Sequence, residues 1–259
     1  NGDHLNVTLR LFESQGWIKR QLTQKKIIRI KTTELGIEIF NQANLYSTFF
    51  LFFPYLINLN FSENDSYQKL NQLLDKFDEL EKKTKNKTIL KHIEGLIIGP
   101  ILVALGMNNH SKVESNNELI FNDSINNENK KCILRVFEKF KLSKDNELNE
   151  KGLFFYKRSA AYGVTVSYMP LFSQLDTLLF KDASNILVRD KDGNELHVNR
   201  KMNVWGSGGA HKLYFKKIDE IIIEIFNRPI EMQPKGIADM GCGDGTLLIH
   251  LYKLIKEDT

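Results

Sequence analysis

Residues 234–248 read Pro234-Lys235-Gly236-Ile237-Ala238-Asp239-Met240-Gly241-Cys242-Gly243-Asp244-Gly245-Thr246-Leu247-Leu248. A short apolar segment ends in an acid, a Gly-x-Gly-x-Gly turn follows, and Leu247, Leu248, Leu251 and Leu254 continue at helical spacing. Strand, acid, glycine turn and helix form the order in which an α/β fold presents a ligand-binding loop. Gly241 and Gly243 lack a Cβ, so the main chain around Cys242 can take angles closed to other residues and come close to a bound molecule. Gly245 lets the following helix sit tight on the strand. Asp239 stands at the carboxyl end of that strand, beside the turn. A dinucleotide-binding turn and a purely structural glycine turn remain alternative readings of the same residues. The ribose-binding acid that would separate them belongs about 20 residues past the glycines, and the sequence ends at Thr259.

Upstream, Asn203-Val-Trp-Gly-Ser-Gly-Gly-Ala-His211-Lys-Leu-Tyr214-Phe215 leads into an amphipathic helix through Phe226. His211 and Tyr214 are candidates to face a cleft, against a plainer reading of a flexible Gly/Ser hinge followed by core aromatics. Further back, Tyr156 to Pro170 offers Tyr162 and Tyr168 as substrate-binding groups from a lid, with a packed aromatic cluster as the alternative. His4, His92, His110, His197 and His250 have no partner at catalytic or ligand spacing and read as surface or core histidines.

The opening segment places Leu5, Leu9 and Phe12 on one helical face, and Gly16 ends that helix as a left-handed cap. Trp17 to Leu22 and Lys26 to Lys31 read as two strands around a polar tip, and Thr32-Thr33-Glu34 opens a second helix. Helix, two-stranded wing and helix form a winged-helix pattern. It returns in degenerate form, because Leu134-Arg135-Val136-Phe137-Glu138 echoes Leu9-Arg10-Leu11-Phe12-Glu13. Likewise Leu148-Asn149-Glu150-Lys151-Gly152 echoes Thr32-Thr33-Glu34-Leu35-Gly36, with a shorter wing between. Between the copies, Leu70, Leu73, Leu74, Phe77 and Leu80 mark an amphipathic helix, and Ile89 to Met107 a more buried one. Asn108 to Asn129 reads as a polar loop, residues 152–180 as core or cavity wall, and Asn185 to Val198 as a β-hairpin turning at Asp192-Gly193.

With 42% hydrophobic and 26% charged residues, the 259-residue chain has ordinary globular composition, which excludes wholesale disorder. A net charge of +4 spread along the sequence falls short of the concentrated basic field that nucleic-acid binding requires. Cys132 and Cys242 stand apart, with no second Cys or His at ligand spacing, so neither a zinc site nor a disulfide framework is indicated and a reducing cytoplasm is expected. The apolar run Phe49 to Ile57 is too short to span a bilayer, and Ile89 to Leu105 carries Lys91, His92, Glu94 and Pro100, so no membrane partner is expected.

The Asp239 to Gly245 order resembles the first motif of class I methyltransferases that use S-adenosylmethionine. Taken with the winged-helix-like start, the helical middle, Tyr162-Gly-Val-Thr-Val-Ser-Tyr168 and Trp205 to Phe215, the chain looks like the methyltransferase domains in loading modules of bacterial polyketide synthases, of the apratoxin A type. The resemblance implies a mixed α/β fold. A mostly helical, winged-helix-like lid, residues 1–200, would precede the first strand and helix of a Rossmann-like core, residues 201–259. It also implies S-adenosylmethionine held by Asp239, Gly241, Cys242, Gly243 and Gly245, and a small or acyl-carrier-bound acyl substrate touching Tyr162, Tyr168, His211 and Tyr214. An acyl carrier protein is the partner it suggests. A mononuclear metal assists C-methylation of a malonyl group in that family, with ligands in the part of the core that this sequence lacks, so no residue here is assigned as a metal ligand or a catalytic base.

A class I core needs about seven strands, and only its first is expected here, so the chain is expected to be a piece of a longer protein, cut at both ends. Two other functions compete. One is a winged-helix DNA-binding regulator, for which the helix from His4 to Gln15 offers only Arg10 and His4 against Asp3 and Glu13. The other is a non-catalytic adaptor left over from a methyltransferase in a synthase.

Overall fold

The computed structural model describes residues 2–24, 28–63, 66–243 and 245–258, without the side chains of 209–213, 216 and 258. The chain is mostly helical, and its strands among the described residues form three two-stranded antiparallel hairpins. The order is α1 (Gly2–Ser14), β1 (Ile18–Leu22), β2 (Ile28–Thr32), α2 (Glu34–Asn41), α3 (Ala43–Phe50), α4 (Phe53–Ile57), α5 (Ser66–Lys83) and α6 (Lys87–Met107). Next come β3 (Ser111–Val113), β4 (Leu119–Phe121), α7 (Asn127–Lys139), β5 (Ser143–Lys144), β6 (Glu147–Leu148), α8 (Glu150–Tyr156), α9 (Ser159–Ser167), α10 (Met169–Phe172) and α11 (Leu175–Phe180). The last elements are α12 (Arg200–Phe226) and α13 (Thr246–Asp258).

The core follows the helical periodicity. Leu70, Leu73, Leu74, Phe77 and Leu80 of α5 are all buried, facing Ile89, Ile93, Ile97 and Ile101 of α6 and Ile133, Val136 and Phe137 of α7 in one cluster. Each such side chain contributes about 1.5–3 kcal/mol by leaving water. Asn86 starts α6 by accepting hydrogen bonds from the Thr88 and Ile89 amides. By length and composition α6 could cross a membrane, but most of its apolar side chains are covered here by protein.

The internal repeat is visible bond by bond. At the end of α1, the Trp17 amide donates to the Phe12 carbonyl (2.9 Å) and the Gly16 amide to that of Glu13 (2.9 Å), with Gly16 at φ +74°. At the end of α7, the Leu142 amide donates to Phe137 (2.8 Å) and that of Lys141 to Glu138 (2.9 Å), with Lys141 at φ +56°. Both are the paired bonds of a left-handed helix cap. After each wing the chain returns to the same carbonyl: Thr33 donates to Trp17 (3.0 Å) and Asn149 to Leu142 (3.1 Å). Thr33 and Asn149 then cap α2 and α8 by accepting from the Gly36 and Gly152 amides. A Cβ on Gly36 would lie 1.9 Å from the Trp17 carbonyl oxygen, and one on Gly152 would lie 2.0 Å from that of Leu142. Only glycine fits either place. The wing of the first copy pairs five residues with five, that of the second two with two; Lys26 and Ile27, expected in the first wing, lie outside the described residues.

Three expectations change. The loop at 108–129 contains the β3–β4 hairpin, because the buried Leu119 ties it to the second wing: its amide donates to the Asn146 carbonyl, and the Leu148 amide donates to Asn117. The hairpin at 185–198 shrinks to one bridge, Arg189 to Glu195, because Asp190 draws the turn amides of Asp192 and Asn194 onto its own carboxylate. The strand expected to end at Asp239 has no ladder partner among the described residues, so Ile237 to Asp239 is irregular and a Rossmann-like sheet is not formed. A strand exists only against a neighbour.

The Gly/Ser stretch at 206–209 is not a hinge between elements but lies inside α12. It meets α9 backbone to backbone: a Cβ on Gly206 would lie 2.7 Å from the Val164 nitrogen, and one on Gly163 would lie 3.0 Å from the Gly206 Cα. Ser167, fully buried, accepts the Asn203 amide group on Oγ (3.0 Å) and the Asn199 backbone amide on its carbonyl (2.8 Å). Farther along α12, Asp219 pairs with His250 of α13 at 2.5 Å, and the Phe215 ring stacks on that imidazole. Thus α12 joins the helical body to the glycine motif.

Candidate functional site

The glycine turn owes its shape to backbone angles. Gly241, Gly243 and Gly245 have φ of +91°, +60° and +78°, a region where an L side chain is strained. The Gly245 amide closes the turn on the Cys242 carbonyl (2.9 Å), and the Gly245 carbonyl receives the Ile249 amide as α13 begins. Asp244 lies outside the described residues.

Between this turn and α12 opens a cavity of about 790 Å³. The motif contributes Asp239, Gly241, Cys242 and Gly243, with Thr246 and Leu247 from the start of α13. From α12 come Arg200, Asn203 and Ser207, spaced so that they share one helical face, together with Val204, Gly208 and Phe215. Cys242 is a free, exposed thiol. Arg200 is gripped by Glu195 through Nε (2.6 Å) and Nη2 (2.8 Å). The Arg200 hydrogen bonds hold the Glu195 carboxyl below the usual range, and Glu195 in turn raises the guanidinium. Arg200 also lines a second cavity of about 840 Å³, shared with Pro170, Arg189, Glu195, Val198 and Lys201.

Four of the five residues expected to hold a cofactor therefore share one cavity wall, and Gly245 shapes the turn beneath it. Of the expected substrate residues, Tyr162, Tyr168 and Tyr214 do not line this cavity. Tyr162 is half-buried against Phe155, ring centres 6.0 Å apart, and burial pushes its hydroxyl up. Tyr168 caps the end of α9, where it interacts with Arg200. Tyr214 is exposed on α12 outside the cavity lining, and the His211 side chain lies outside the described residues. Arg200, Asn203 and Ser207 were missed. Their signal was a polar i, i+3, i+7 stripe at the start of the helix that precedes the glycine motif, obscured by reading the glycines beside them as a break. Among the described residues no three His, Cys, Asp or Glu side chains gather as a metal would need.

A family profile described as the AprA MT2-like domain matches residues 195–259, a span holding Glu195, α12, the glycine turn and α13. A second, described as the AprA winged helix domain, matches residues 94–182. The chain resembles the apratoxin-type methyltransferase region. Its coarse functional class is accordingly methyltransferase-related. The winged-helix match contains the second copy of the repeat, from α7 to α8, while α1 to α2 lie ahead of it. No curated protein matches the chain.

Proposed function

We propose that this chain carries the cofactor-binding element of an S-adenosylmethionine-dependent methyltransferase. In this reading it C-methylates a small or acyl-carrier-bound acyl group in a cytoplasmic polyketide synthase. The observation that supports this is the cavity between the glycine turn and α12, lying within the stretch similar to the AprA MT2-like domain. Its volume falls inside the range of about 300–1,000 Å³ usual for small-molecule sites. The donor set fits a cationic amino group and a nucleoside: an acid at the rim, a main chain bare of side chains at Gly241 and Gly243, and apolar walls in Phe215 and Leu247.

Bound there, S-adenosylmethionine supplies an electrophilic methyl group. Methyl transfer is an in-line displacement, so the protein's share is alignment and exclusion of water, and no protein nucleophile is required. Asp239 accepts hydrogen bonds from the ammonium, the glycine turn passes the backbone close to the ligand, and α12 closes the opposite wall. A Rossmann-like sheet beginning at 236–239 completes the site in this reading, with residues 1–200 as the lid domain and 201–259 as the start of the core; any metal is held outside this stretch. Calorimetric titration with S-adenosylmethionine tests it. Binding that Asp239→Ala weakens by about tenfold or more is expected for a lost charge-assisted contact; no binding to the unaltered chain would sink the proposal.

A further inference from the structure

Among the described residues, two charged side chains line the cavity beside the glycine turn, Asp239 and Arg200, one of each sign. Arg200 heads a face of α12 that continues through Asn203 and Ser207, so donors of three kinds look onto the same space. Glu195 occupies Nε and Nη2 of the guanidinium, Tyr168 also interacts with it, and the Asn203 amide oxygen lies 3.5 Å from Nη1, too long for a good hydrogen bond, so these partners leave part of the five-donor fork over. A guanidinium presents five N–H donors in a fixed fork that matches a carboxylate. Glu195 therefore sets the orientation of Arg200 without exhausting its donors. The face itself is rigid, because Asn203 is tied to the fully buried Ser167.

We infer that Arg200, supported by Ser207, is the carboxylate-binding group of this cavity, so that Asp239 and Arg200 together recognise the zwitterionic amino-acid end of the ligand. This rests on the cofactor reading above and adds to it a binding residue from α12. The ammonium is taken by the acid after the irregular segment 237–239, the carboxylate by the helix that leads to it. Both ends must be in register, which the shared packing of α12 against α9 and α13 provides.

The test compares two ligands on the full chain: S-adenosylmethionine and its decarboxylated analogue, identical except for the missing carboxylate. The unaltered protein is expected to prefer the complete ligand by about tenfold or more, the scale of one charge-assisted hydrogen-bonded pair. Arg200→Gln should remove that preference, weakening S-adenosylmethionine and leaving the analogue unchanged. Equal loss for both ligands would make Arg200 a structural partner of Glu195 and overturn the inference, as would an unaltered protein that does not discriminate. If the unaltered protein binds neither ligand, the cofactor reading itself fails. Should Arg200→Gln not fold, Ser207→Ala provides the same comparison, with a selective loss of about threefold expected for a single hydroxyl and a loss shared by both ligands counting against the inference.

Discussion

The two helix–wing–helix copies share one frame of backbone bonds and differ in what surrounds them. In the second, Phe137, Leu142 and Leu148 are buried in the main core, and its short wing is tied to β4. In the first, every residue of β2 is exposed, and Leu22, Ile28 and Ile30 stand in solvent. The frame is thus set by local rules: a left-handed cap, a returning amide, a side-chain cap and a glycine beneath a carbonyl. How much stability it provides is set by neighbours. A motif can keep its geometry and have most of its packing elsewhere.

The sharpest way to break this comparison is to add one methyl group at the equivalent glycines. Gly152→Ala drives a Cβ into the Leu142 carbonyl inside the packed copy and is expected to cost about 3 kcal/mol, while Gly36→Ala meets the same clash where the exposed wing can yield and should cost about 1–2 kcal/mol. Urea unfolding measures both, and equal costs would mean that the surroundings do not matter. The caps should follow the same order on a smaller scale. Asn149→Ala is expected to lose about 1–1.5 kcal/mol and Thr33→Ala about 0.5–1 kcal/mol, read as shifts in Tm.

The smallest effect is one of pH. His92 lies beside Trp17 of the first copy and bonds the Tyr46 hydroxyl at 2.8 Å, and burial holds its imidazole below the ordinary value. As pH falls, the unfolded chain takes up this proton before the folded one does. The contribution is therefore present above about pH 6.5 and lost as pH falls through the folded value. Unfolding midpoints of His92→Gln should show a shallower loss on acidification than those of the unaltered chain; an unchanged slope would exclude His92 as a source.

Much of this was legible because it is local. Leu70 to Leu80 announced α5 by spacing alone, and the echo of Leu9 to Glu13 in Leu134 to Glu138 located a repeat whose bonds coincide. The glycine turn was equally plain, since its left-handed angles depend on no distant residue. What could not be read depends on partners far away in sequence. Ile237 to Asp239 has strand composition but needs a second strand to pair with. Residues 108–129 looked like a loop because the few apolar side chains that fix their hairpin, Leu119 above all, are valuable only against the second wing. The cavity wall was hidden by the Gly206 to Gly209 stretch, which reads as a break until α9 is seen pressed against it.

That contact gives α12 a mechanical character. At about 1.5 Å per residue the helix from Arg200 to Phe226 is roughly 40 Å long. It is held near one end by the crossing at Gly206 and farther along by the Asp219–His250 pair, and the glycine turn comes against it beside that crossing, where a Cβ on Gly243 would lie 3.7 Å from Val204 Cγ1. A tilt of about 5° about Gly206 would carry Asp219, about 20 Å away along the axis, by nearly 2 Å. Because one wall of the cavity is α12 itself and the other is tied to α12 through α13, the angle at which α12 crosses α9 sets where the whole cavity sits against the helical body.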